Sequence, residues 1–134
     1  MRALACFTLV LGLGCGASGD ARSPGTTLAE RLAAANAARR PLVVEFGAAW
    51  CAPCHDFSEH VLTDARVQAA LRDVAFVQYD IETASGAEAA KACDVTGVPA
   101  VIEIAPDGTP RPLTMGSEPS VAELVTFLEH AKLR

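Results

Sequence analysis

A chain of 134 residues suffices for one ordinary domain and falls short of two. Half of it is apolar (51%) and a fifth charged (20%), the composition of a folded domain and not of a disordered chain. The formal net charge of -5, with no cluster of Lys or Arg along the sequence, excludes the basic patch that phosphate recognition needs, so nucleic acid is not an expected partner.

Met1-Arg2 followed by the uncharged run ALACFTLVLGLG, residues 3 to 14, has the layout of a secretory signal peptide. The run is far shorter than the ~20 residues a spanning helix needs. Cys15 follows Leu-Gly-Leu-Gly, which resembles the lipobox at which bacterial lipoproteins are cleaved and lipidated. Gly12 stands where that pattern prefers a branched apolar residue, and cleavage a little later, within GASGDARS, is the alternative. The expected organisation is a signal peptide over 1–14, a small and polar tether over 15–25 starting at a lipidated Cys15, and a domain over 26–134. The expected location is periplasmic or otherwise extracytoplasmic, with the membrane touched only through the lipid anchor. A monomer is expected.

Thr26 or Thr27 suits the N-cap of a first helix that places Leu28, Leu32 and Ala35 on one face. Pro41 breaks that pattern, and Leu42 to Phe46 reads as a buried strand. A helical segment starts at or beside Cys51 and runs towards Arg72, interrupted and recapped at Thr63-Asp64. VAFVQYD, residues 74 to 80, is β-branched and aromatic and predicts a second strand. GAEAAKAC supplies a short helix, and VTGVPAVIEIA leads to a hairpin whose turn is Asp107-Gly108. From Ser120 the spacing of Val121, Leu124, Val125 and Leu128 predicts a final helix. The order αβαβαββα implies a parallel pair followed by an antiparallel hairpin, in a sheet covered by helices.

The segment WCAPCH, residues 50 to 55, admits two chemistries: a redox dithiol, or the Cys-x-x-Cys-His attachment pattern of a c-type haem. A strand, then Trp-Cys-x-x-Cys opening a helix, then Gly-Val-Pro before a later strand, resembles the thioredoxin superfamily. The stretches FGAAWCAPCHDFSEHVLTDARVQAALRDVAFVQYDIE, VTGVPAVIEI and PDGT are similar, more narrowly, to the C-terminal thioredoxin domain of DsbD-type membrane reductases and their small exported relatives. The resemblance covers residues 27 to 132. It implies a thioredoxin fold of the α/β class, with a central mixed sheet of about four strands flanked by helices. It also implies a thiol-disulfide oxidoreductase acting on protein thiols and disulfides, with a membrane electron donor.

Physical chemistry agrees with that resemblance. A thiolate is the nucleophile, and a helix N-terminus lowers a cysteine pKa. Cys51 is expected exposed at that terminus, attacking a substrate disulfide, with Cys54 shielded beneath it to resolve the mixed disulfide. Pro53 suits the first helical turn, and Trp50 is expected to shield one side of the pair. A haem would need His55 and a distant ligand such as Met115, but small c-type cytochromes are mostly helical and have no need of the buried strand or of Val-Pro. Zinc would need four ligands, and Cys51, Cys54, His55 and His60 crowd into one short segment with no second pair at finger spacing. The dithiol needs neither metal nor organic cofactor, and none is expected.

The resemblance assigns further roles. Val98 and Pro99 would bind substrate beside Trp50, the proline cis and packed on the dithiol; a trans proline opening a strand is the alternative. Glu45 matches a buried carboxylate that helps deprotonate the inner cysteine, and burial would raise its pKa towards that of a useful base. The alternative is a solvated residue of a half-exposed strand. His55, one helical turn beyond Cys51, could stabilise the thiolate when protonated or could simply be solvated. Cys93 is expected to be a buried, inert thiol, and His60 and His130 surface residues. The intervening Ala52-Pro53 is more similar to the Gly-Pro of reducing thioredoxins than to the dipeptides of strong oxidants, so reduction is the expected direction; the alternatives are a disulfide oxidase or isomerase, or a non-catalytic thioredoxin-fold binding module.

Overall fold

A computed structural model describes residues 26–134; the expected signal segment, Cys15 and the tether lie outside the described residues. The elements are α1 (Leu28–Ala37), β1 (Leu42–Gly47), α2 (Ala52–Asp56), a π-helical turn (Phe57–Val61), α3 (Ala65–Leu71), β2 (Ala75–Asp80), α4 (Ala84–Ala92), β3 (Ala100–Ile104), β4 (Pro110–Met115) and α5 (Val121–Lys132). They form the thioredoxin fold: one four-stranded mixed sheet in the order β2-β1-β3-β4, flanked by helices. β1 runs parallel to β2, and β3 is antiparallel to both β1 and β4.

Every residue of β1 and β3 is buried, because both faces of the sheet are covered. On one face Leu42, Val44 and Phe46 meet Ala35 of α1 and Ala89 of α4. On the other, Val43 and Val101 pack with Phe57, Val67, Leu124 and Leu128. That double covering explains why LVVEF is a continuous apolar run and not an alternating one.

The helix ends are fixed locally. Thr27 and Glu30 form a capping box at α1, its side chains answering the N–H groups at 3.3 and 2.9 Å. Ser120 and Glu123 repeat it at α5, and Asp64 caps α3 through the N–H of Arg66 at 2.8 Å. Between α2 and α3 the chain widens into the π turn, and the Thr63-Asp64 break falls where the sequence places it. The β3–β4 turn uses Gly108 at φ 90°, a left-handed conformation open to glycine.

The Val98-Pro99 peptide is cis. β1 ends at Gly47, β2 ends at Asp80 and β3 begins at Ala100, so the segments that carry Cys51, Asp80 and Pro99 meet at one end of the sheet.

Cys93 lies in the core between α1, α4 and the sheet, 2% exposed. Burial, helped by the neighbouring Asp94 carboxylate, pushes its thiol up to about 11. Thiol alkylation at neutral pH should therefore leave Cys93 unmodified in the folded protein and label it promptly in denaturant; rapid labelling of the native state would contradict this packing. Leu128 is fully buried, and Leu128→Ala should lower the free energy of unfolding by about 2–5 kcal/mol in chemical denaturation.

Candidate active site

Gly47 leads into a tight loop in which the Cys51 N–H donates to the Ala48 carbonyl at 3.1 Å. Cys51 then caps α2: its sulfur accepts from the Cys54 N–H at 3.2 Å, and Pro53 occupies the first turn. The two cysteines are joined as a disulfide, with Cα atoms 5.3 Å apart. Ala48 packs on the pair, as do Val98 and Ile81. Pro99 is fully buried beside Val98.

One expectation is corrected. Cys51 is not exposed: it is 3% accessible, against 6% for Cys54. Cys51 and Cys54 pack with Ala48, Ile81 and Val98, so both cysteines share one apolar niche in the oxidised protein. Trp50 is 66% exposed and gives most of its surface to solvent. An aromatic side chain held open beside a disulfide is available for contact with another molecule.

Glu45 is buried, 3% accessible, so the solvated alternative falls. The register places Glu45 opposite Gln78 of β2 and Val101 of β3. Gln78 donates its amide N–H to Glu45 Oε2 at 3.2 Å. A Cβ at Gly47 would stand 3.0 Å from Glu45 Oε1 and 3.5 Å from Cys54 Sγ. Carboxyl and inner sulfur therefore flank the same bare glycine, separated by no more than those two distances together. The longer reach of Glu compared with Asp is accommodated because residue 47 has no side chain.

A cavity of about 390 Å³ opens from this point to the surface, with Glu45, Gly47 and Cys54 at its inner end and His55, Gln78 and Asp80 among its walls. His55 is exposed, its Nε2 2.9 Å from the Ala49 carbonyl oxygen. That bond ties the helix to the loop ahead of Cys51. His60 lies within reach of the Asp56 carbonyl at 3.2 Å on the surface, and His130 is also exposed.

The arrangement thus brings Cys51, Cys54, Glu45, Val98 and Pro99 together, with Trp50 at the rim. Sequence reasoning did not single out Gln78 or Gly47. The only local hint was a polar residue inside VAFVQYD, since the pairing of Glu45 with Gln78 is a property of strand register. It also missed Glu103, the second buried carboxylate, which is ion-paired with Arg134 at 3.1 Å and Arg111 at 3.5 Å.

The geometry has counterparts among known proteins. A family described as thioredoxin-like matches residues 23–106. The thiol:disulfide interchange protein DsbD of Ralstonia nicotianae is 39% identical over 87 residues, which is 63% of this chain and 14% of that protein. The chain therefore spans a small fraction of the length of that relative. A thioredoxin from Thermus thermophilus superposes with a TM-score of 0.65 at 25% identity, covering 78% of this chain and 82% of its own. A disulphide isomerase from Xylella fastidiosa Temecula1 superposes with a TM-score of 0.62 at 26% identity, covering 90% of this chain and 98% of its own. With its fold, its Cys51–Cys54 disulfide and these likenesses together, the chain belongs to the thioredoxin-like family and is similar to a part of DsbD.

Proposed function

We propose that residues 26–134 act outside the cytoplasm as a protein-disulfide reductase, working through the Cys51–Cys54 dithiol. The observation that carries the reading is the redox pair at the start of α2, set against Val98-Pro99 with the buried Glu45 carboxyl behind the inner sulfur.

The cycle starts from the reduced protein. The Cys51 thiolate attacks one sulfur of a substrate disulfide, that S–S bond breaks, and the other substrate sulfur leaves and takes up a proton. Trp50, Val98 and Pro99 hold the substrate chain during this step. Glu45 then accepts the Cys54 proton, and the Cys54 thiolate attacks Cys51 Sγ. The mixed disulfide breaks and the second substrate thiol departs. The substrate has gained two electrons and two protons, and the protein is left with the disulfide found here. Its return to the dithiol requires a reductant, for which we assign a membrane protein presenting a dithiol, because the extracytoplasmic compartment is oxidising. In this reading residues 1–14 direct export, lipid on Cys15 holds the monomer at the membrane, and residues 16–25 tether it. Among the described residues no helix is long and apolar enough to cross a membrane.

A second reading, disulfide isomerisation, is favoured by the likeness to the Xylella isomerase. An assay on a scrambled disulfide protein separates the two, since an isomerase restores the native pairing without net reduction.

Trapping tests the cycle. Cys54→Ser should accumulate covalent complexes between Cys51 and a disulfide-bearing protein, and Cys51→Ser should give none. Complexes on Cys54 alone would reverse the assigned roles. Glu45→Gln should slow resolution on the order of 10²-fold while leaving the initial attack unchanged; an unaltered resolution rate would remove Glu45 from the mechanism.

A further inference from the structure

Glu45 and Gln78 stand side by side on adjacent parallel strands, on the sheet face that the π turn, α3 and α5 cover. Their immediate neighbours on that face are apolar: Val43 precedes Glu45 by two, Phe76 precedes Gln78 by two, and Val101 pairs with Glu45 from β3, while Glu103, opposite Val43, lies one step further along. An amide and a carboxyl placed in register inside an apolar layer cost desolvation unless they bond to each other. They do, at 3.2 Å, and the bond uses Oε2. The other oxygen, Oε1, is the one that lies against Gly47 on the side of Cys54 Sγ.

We infer that Gln78 is a positioning residue for the thiol chemistry: its amide fixes the Glu45 carboxyl so that Oε1 faces Cys54 across the gap left by Gly47. The inference rests on the proposed role of Glu45 as the proton acceptor for Cys54. A neutral donor suits that role. It orients the carboxyl without adding a positive charge that would oppose protonation, whereas the other buried carboxylate, Glu103, is held by two guanidinium groups at the far end of β3. The cavity beside Gln78 gives the proton a way out to solvent. Titratable groups around it are His55 and Cys54 from α2 and Tyr79 and Asp80 from β2, while β3 faces Glu45 with Val101.

An aromatic disulfide separates the two chemical steps. In the reduced protein carrying Cys93→Ser, the first equivalent of nitrothiobenzoate released from 5,5′-dithiobis(2-nitrobenzoate) reports attack by Cys51, and the second reports resolution by Cys54. Gln78→Met keeps the length of the side chain and removes the donor. It should leave the first phase unchanged, which also shows the site folded. The second phase should slow roughly three- to tenfold at neutral pH, the worth of one neutral hydrogen bond. Its acidic limb should move to higher pH, because a donor to the carboxylate favours the charged form and its loss favours the protonated one. In a Glu45→Gln background Gln78→Met should add nothing. If Glu45→Gln slows the second phase and Gln78→Met does not, or if Gln78→Met slows it equally in both backgrounds, the positioning role is overturned and that of Glu45 stands. If Glu45→Gln itself leaves the second phase unchanged, both fall together.

Discussion

The structure depends on burying β1 on both faces while ending it in reactive sulfur. Leu42 to Phe46 supply the apolar surface that organises the helices on either side, and the strand stops at a glycine just before the loop that delivers Cys51. A strand this enclosed cannot tolerate a polar side chain without a partner. The one it carries, Glu45, sits two residues before its end, where the cysteine helix begins. The strand that holds the fold together is thus the one that sets a carboxyl behind the inner thiol.

That placement divides the labour at the site. The start of α2 supplies a donor to the outer sulfur through the Cys54 N–H. β1 supplies the carboxyl near the inner sulfur, and the Val98-Pro99 segment closes the apolar niche around the pair. The Val98-Pro99 segment, distant in sequence, meets the end of β1 and the start of α2 because β1 is central, with β2 parallel on one side and β3 antiparallel on the other. Trp50 stands at the rim of the niche and is largely exposed to solvent.

Much of this was legible in the sequence where the cause is local. The capping boxes at Thr27 and Ser120, the recapping at Asp64, the Asp107-Gly108 turn and the apolar run of β1 each carry their own short-range signal. The cysteine pair and Val-Pro were legible because the resemblance joined them. What escaped is set by tertiary structure. The burial of Cys51 involves Val98 and Ile81 from distant segments, which no local pattern around the cysteines announces. Gln78 acquires meaning only from the register of two strands separated by α2 and α3, and Gly47 only from the side chains that crowd its missing Cβ. Glu103 finds its guanidinium partners on β4 and beyond α5.

In the proposed function the domain exchanges two electrons with a protein disulfide, and its direction is set by the free-energy difference between the Cys51–Cys54 disulfide and the dithiol. Equilibration of residues 25–134, carrying Cys93→Ser, with glutathione buffers measures that difference directly when the free thiols of Cys51 and Cys54 are trapped and counted. The account predicts a potential near the ~-270 mV of thioredoxin, that of a reductant needing a donor. A value near the ~-120 mV of DsbA would contradict it and make the protein an oxidant.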